Sequence, residues 1–209
     1  MTRPLPAFFL LTALLTIMAA CAAGPQAELS PAEKYFVIQK LPVPEEGNIP
    51  HCHGYGCKHR ATVELDEAEW AEIASGFAGI ENAAAERAAV SEAIGAFERV
   101  VGRKAGTGDD RKGTYVRLGT HQHDCIDESS NTTIYLYLLQ KRGLLRFHDL
   151  YGPTTRLPLI GGRIGPHRSA VITERGSGNR YAVDSWFHDN GRAAEIVPLG
   201  RWRRGWQPD

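Results

Sequence analysis

The spacing of apolar residues changes character late in this chain, and that change restricts the fold more than any other feature. Early on, apolar residues recur every three or four positions. Trp70, Ile73, Ala74 and Phe77 fall on one helical face, and Val90, Ile94, Phe97 and Val101 form a second stripe. Asp66 and Glu69 have capping-box spacing at the head of the first helix, and Gly79 ends it. The second helix is expected over residues 82–101, with residues 103–106 closing it. Both stripes read as core rather than as a cofactor box. A third helix is expected over 124–142, with an acidic, polar first turn, an apolar body and Gly143 as its stop. Beyond it come short strands and turns. Residues 169–174, a glycine-rich turn at 176–179, and residues 180–187 read as a hairpin, and 194–199 as a last strand whose Pro198 marks an edge. Further strands are expected at 35–39, 61–65 and 144–148. Helices first and antiparallel strands second predict an α+β fold, a helical N-terminal half packed on a C-terminal antiparallel sheet.

Composition narrows the functional classes. With 209 residues, 43% apolar and 23% charged, the chain has the make-up of a folded protein rather than a disordered tail, a collagen or a coiled coil. Lys+Arg 24 balance Asp+Glu 24, so the basic excess of an electrostatic nucleic-acid reader is missing. No second long apolar run follows the N-terminal one, which argues against a polytopic membrane protein.

The N-terminus carries an address. Arg3 precedes an apolar core at residues 7–18, and small residues lead to Cys21. Met18-Ala19-Ala20-Cys21 resembles the lipobox of bacterial lipoproteins. The resemblance implies a signal peptide over 1–20, a lipidated Cys21 and a chain anchored at the outer membrane, facing the periplasm. Residues 21–34, small, polar and proline-bearing, read as a tether, leaving 35–209 as one domain. Export also sets the redox state, since the periplasm permits disulfides. Cys52 and Cys57, with two glycines between them, are expected to pair locally. The same segment offers an alternative: His51, His53, Cys57 and His59 are ligand types suited to zinc or copper, though at no standard zinc spacing. His121, His123 and Cys125 alternate and form a second, minor metal candidate.

Cys125 sits at the predicted start of the third helix, where unpaired N–H groups and the helix dipole favour a thiolate. Asp124, Asp127 and Glu128 crowd it and oppose that effect. His167 opens a strand 42 residues later and Asp184 lies on the next strand. Thiolate, imidazole and orienting carboxylate are the parts nucleophilic catalysis needs. In a hairpin with an even loop, 167 and 184 share a face and meet diagonally. Singly, each has a plainer reading: Cys125 a buried structural thiol, His167 a core or capping histidine, Asp184 a partner for Arg180. Cys at a helix start, then His, then Asp on successive strands resembles the transglutaminase-like (papain-like) superfamily of cysteine hydrolases. That resemblance covers about residues 120–202. It implies a Cys125–His167–Asp184 triad acting on an amide of a protein or a peptidoglycan peptide, without a cofactor. An oxyanion hole would need the Cys125 N–H and a second donor, for which Gln122 is the candidate. The segments CHGYGC, DCIDESSNTT and AVDSWFHDNG are also similar to a family of exported proteobacterial proteins, which implies export but no activity. The alternative function is a non-enzymatic metal-binding or interaction lipoprotein built on residues 51–59. The basic and aromatic residues of 200–206 read as a packed, solvated tail.

Overall fold

Every side chain from Asp127 to Leu139 is buried, so the segment with the least helical amphipathicity lies at the centre of the molecule. It belongs to the fourth of five helices among the described residues. The computed structural model describes residues 28–114, 118–157 and 166–209. The expected signal peptide and Cys21 lie outside the described residues.

The first helix, α1 (Pro31–Gln39), stands where a strand was expected at 35–39, and it takes in the end of the expected tether. The cause is local. Ser30 and Glu33 complete a capping box and Pro31 occupies the first turn, so a helix is nucleated ahead of the β-branched Val37 and Ile38. Tyr35 and Phe36 point into the core.

Strands β1 (Ile49–His53) and β2 (His59–Val63) form an antiparallel ribbon with His53 opposite His59. The strand expected at 61–65 is thus shifted by two residues, and its partner lies in a segment that had no strand signal. The disulfide Cys52–Cys57 closes the loop between them. Gly54, Tyr55, Gly56 and Cys57 all have positive φ, from 57° to 81°. Glycine relieves this at two of the four positions, and a Cβ at Gly54 would lie 2.5 Å from the His59 ring.

Helix α2 (Glu67–Ala74) begins at the expected Asp66–Glu69 capping box and runs into a 3₁₀ turn at Ser75–Phe77. Helix α3 (Ala83–Ala105) follows, capped by Asn82 and ended by Gly106 at φ 73°. Helix α4 (Cys125–Lys141) starts at Asp124.

The sheet follows: β3 (His148–Leu150), β4 (Thr154–Arg156), β5 (His167–Glu174), β6 (Arg180–Asp184) and β7 (Glu195–Pro198), then α5 (Leu199–Arg203). Its order is β3-β5-β6-β7, with β4 pairing the start of β5. The expected strand at 144–148 begins only at His148, that at 180–187 stops at Asp184, and β4 and α5 had no clear signal. Alternation along β5 and β6 serves two layers. Ala170, Ile172 and Val183 join the main core on the α4 side. Val171 and Ala182 join Val197, Leu199 and Trp202 under α5 on the other. The α+β expectation therefore holds, with α4 clasped between the sheet and the β1–β2 ribbon.

The loop after β6 crosses α3 closely. A Cβ at Gly95 would stand 2.8 Å from the Arg192 carbonyl carbon and oxygen. Gly95→Ala would gain about 1 kcal/mol of helix propensity, yet the overpacking is expected to outweigh it and lower stability by about 1–3 kcal/mol. Urea unfolding of the two proteins measures the sign.

Candidate functional site

The first turn of α4 positions the polar centre of the protein. Asp124 accepts hydrogen bonds from the N–H groups of Ile126 and Asp127, at 2.9 Å each. Asp127 answers by accepting from Asp124 N–H at 3.1 Å. The same Asp127 carboxylate accepts from Tyr55 N–H at 2.7 Å and Cys57 N–H at 2.6 Å, so the left-handed run of the disulfide loop wraps it as an anion nest. One turn on, Asn131 accepts from Cys52 N–H and donates to Cys52 O, at 2.7 and 2.9 Å.

With Ile126 and Asp127 bound to the cap, the Cys125 N–H has no other acceptor among the described residues and lies beside its own sulfur. The thiol is partly buried and sits next to the backbone N–H of Arg168, the residue after His167. Burial pushes its pKa up to about 11, and Asp124 and Asp184 push the same way against the two N–H groups. Burial first, and the Asp124 carboxylate at the helix start second, thus work against the thiolate that the helix dipole favours.

His167 and Asp184 do meet. The register that pairs Ala170 with Val183 sets them diagonally on one face, and His167 Nε2 lies 2.7 Å from Asp184 Oδ2. Both are about 2% exposed. Trp202 Nε1–H donates to the same Oδ2 at 2.7 Å. The rings of Trp186, Phe187 and Trp202 enclose the imidazole at 4.7, 5.2 and 5.7 Å. Nε2 is committed to Asp184, and Nδ1 is the nitrogen left for proton transfer. His167 makes no hydrogen bond to Cys125, which approaches β5 at Arg168 instead. Arg180, the plainer partner for Asp184, lies over the Tyr151 ring.

Gln122 takes a different place from the one expected. Its Oε1 accepts from Arg111 N–H at 3.1 Å and its Nε2 donates to Asp109 O at 3.0 Å. Both ends of the amide hold the 109–111 loop, so it serves as a brace rather than an oxyanion donor. The ligand set His51, His53, Cys57 and His59 does not assemble either. Cys57 is oxidised, His51 faces the core, and His53 stacks on His59 across the ribbon at 5.5 Å. His121, beside Asp109 at 3.3 Å, is partly exposed and separated from buried His123.

Sequence reasoning missed two parts of this centre. Trp202, in the packed, solvated tail expected over 200–206, is fully buried and bonded to Asp184, a role its local sequence does not signal. A buried acid–imidazole group also forms where α3, α4 and the 107–123 segment meet. His123 Nδ1 lies 3.0 Å from Glu128 Oε1 and 3.4 Å from Asp110 Oδ2. Burial opposes charge on His123, but the two carboxylates outweigh it and hold its pKa well above the usual imidazole range. Burial takes His51 the other way, and neighbouring His123 and His53 lower it further. Glu128 Oε2 accepts from Ser185 Oγ at 2.6 Å, which joins this group to the residue after Asp184.

No family model, curated protein or solved structure matches this chain.

Trp202→Phe keeps an aromatic ring on the sheet but leaves buried Asp184 one donor short. It is expected to lower stability by about 1–3 kcal/mol, measured by urea unfolding. Trp206→Phe, which spares the Asp184 bond, is expected to change it by less than about 0.5 kcal/mol.

Proposed function

We propose that the protein is a transglutaminase-like, papain-type cysteine hydrolase or acyltransferase. On this reading it is exported, lipid-anchored through Cys21 at the outer membrane, and acts on amides of proteins or peptidoglycan peptides. The observation that carries the reading is the buried His167–Asp184 pair at 2.7 Å, placed one residue from the backbone N–H against which the Cys125 thiol rests. The chain order supports it: helix N-terminus, strand, next antiparallel strand. The Cys52–Cys57 disulfide supports an oxidising compartment.

In the reaction, His167 Nδ1 takes the Cys125 proton as sulfur attacks the amide carbonyl. A C–S bond forms, and the oxyanion lies at the Cys125 N–H. Asp184 holds the imidazolium through Nε2, and Trp202 holds Asp184. His167 then protonates the leaving amine, the C–N bond breaks, and a thioester remains. Water or a second amine attacks the thioester, gives its proton to His167, and the acyl group leaves as sulfur recovers that proton. The thiol–imidazole hydrogen bond is absent at rest, so it has to form as substrate binds, a tightening common at catalytic sites.

The test is alkylation of Cys125 by iodoacetamide at neutral pH, located by mass mapping and run beside hydrolysis of peptidoglycan-derived peptides. Peptide hydrolysis, in which bound substrate brings thiol and imidazole together, is expected to fall on the order of 10²-fold or more in His167→Ala, with Asp184→Asn between that variant and wild type. In His167→Ala the thiol titrates alone. Thiolate is scarce below a pKa of about 11, so the substrate-free alkylation rate is expected to climb about tenfold per pH unit from 7 to 10 in that variant, without a plateau. Cys125→Ala is expected to abolish turnover. Equal hydrolysis rates in wild type and His167→Ala would sink the reading.

A further inference from the structure

We propose that Asp110, His123 and Glu128 form a buried structural site for one divalent transition-metal ion, zinc being the best fit. The donor atoms are His123 Nδ1, Asp110 Oδ2 and Glu128 Oε1. They lie within 4.8 Å of one another on residues no more than 7% exposed. Zinc–nitrogen and zinc–oxygen bonds near 2.0–2.1 Å place tetrahedral ligands roughly 3.3 Å apart. The two His123 separations, 3.0 and 3.4 Å, are of that size.

The orientation of the donors argues more strongly than their spacing. His123 Nδ1 is buried between two carboxylate oxygens, at 3.0 and 3.4 Å, without hydrogen-bond alignment to either, so the three atoms converge on a point that a cation could take in place of a proton. Each ligand also has its other polar atom tied down, as metal ligands generally do. His123 Nε2 lies 3.3 Å from His51 Nε2, and the His51 ring is held by Thr107 at Nε2 and Tyr135 at Nδ1. Asp110 Oδ1 accepts from His123 N–H at 2.6 Å. Glu128 Oε2 accepts from Ser185 Oγ at 2.6 Å. Each of the three side chains is thus aimed by a bond at its other polar atom.

Charge points the same way. Glu98 lies beside this group with Oε2 accepting from Gly191 N–H at 2.9 Å and Oε1 buried without a partner. No lysine or arginine among the described residues pairs with Asp110, Glu98 or Glu128. Asp110 and Glu128 are thus two buried carboxylates with one imidazole between them, a donor set whose charge a divalent cation would balance. One imidazole and two carboxylates suit zinc better than calcium or magnesium, which prefer all-oxygen sites. The site is enclosed, which fits an ion that holds α4 to the 107–123 segment rather than one that meets substrate.

The experiment uses the full chain, with Zn²⁺ and Co²⁺ as probes and a chromophoric chelator as competitor. One equivalent of zinc per chain is expected, with affinity lowered on the order of 100-fold or more in Asp110→Asn and His123→Gln, and about tenfold in His51→Phe. Cys125→Ala and His53→Ala are expected to bind as wild type. Should the ligand variants fail to fold, the Co²⁺ spectrum of wild type decides. Visible d–d bands of four- or five-coordinate intensity without sulfur-to-cobalt charge transfer support the site. A wild-type chain that binds no zinc, a sulfur charge-transfer band, or binding lost in His53→Ala but kept in Asp110→Asn overturns it. None of these outcomes depends on the cysteine-hydrolase reading.

Discussion

The Asp127 carboxylate is the point on which the centre of the molecule depends. It closes the capping box of α4 and, with its remaining lone pairs, holds two N–H groups of the disulfide loop. A buried carboxylate is tolerable only when its acceptors are filled. Here one side chain fills the orphan donors of two elements, a helix start and a left-handed loop. Asn131 repeats the arrangement one turn later. Together they fix where α4 begins, and Cys125, Glu128 and Thr132 take their positions from that start.

Two polar centres then share the same pair of elements. Cys125 and Glu128 are on α4, and Asp184 and Ser185 are consecutive at the end of β6. Asp184 turns toward His167 and Trp202 on the α5 face, while Ser185 turns toward Glu128 and Thr132. Strand alternation sends neighbouring residues to opposite sides, so one strand end serves both centres. This geometry also separates their tasks: the imidazole is walled by aromatic rings, and the acid–imidazole group is walled by helices.

Much of the frame was legible because its signals are local. Asp66–Glu69, the α3 stripe, the α4 boundaries and the glycine-rich turn after β5 all announce themselves within a few residues. So does the His167–Asp184 pair, which needs only hairpin parity. The misread elements show where local signals compete. At α1 a capping box overrode β-branched propensity, and β1 and β4 are strands made by their partners rather than by their own pattern.

By itself the sequence determined the three helices α2 to α4, the hairpin after them, the Cys52–Cys57 pairing and the meeting of His167 with Asp184. All of these follow from short-range spacing. The tertiary structure decided what those parts face. It sent Gln122 to brace a loop, oxidised Cys57 out of any metal set, and carried Trp202 from the C-terminal end onto Asp184. It also gathered Asp110, His123 and Glu128, and pushed the Cys125 thiol upward by burial and by Asp124 and Asp184. Such outcomes depend on which long-range surfaces exclude water from a polar group, and no local spacing records that.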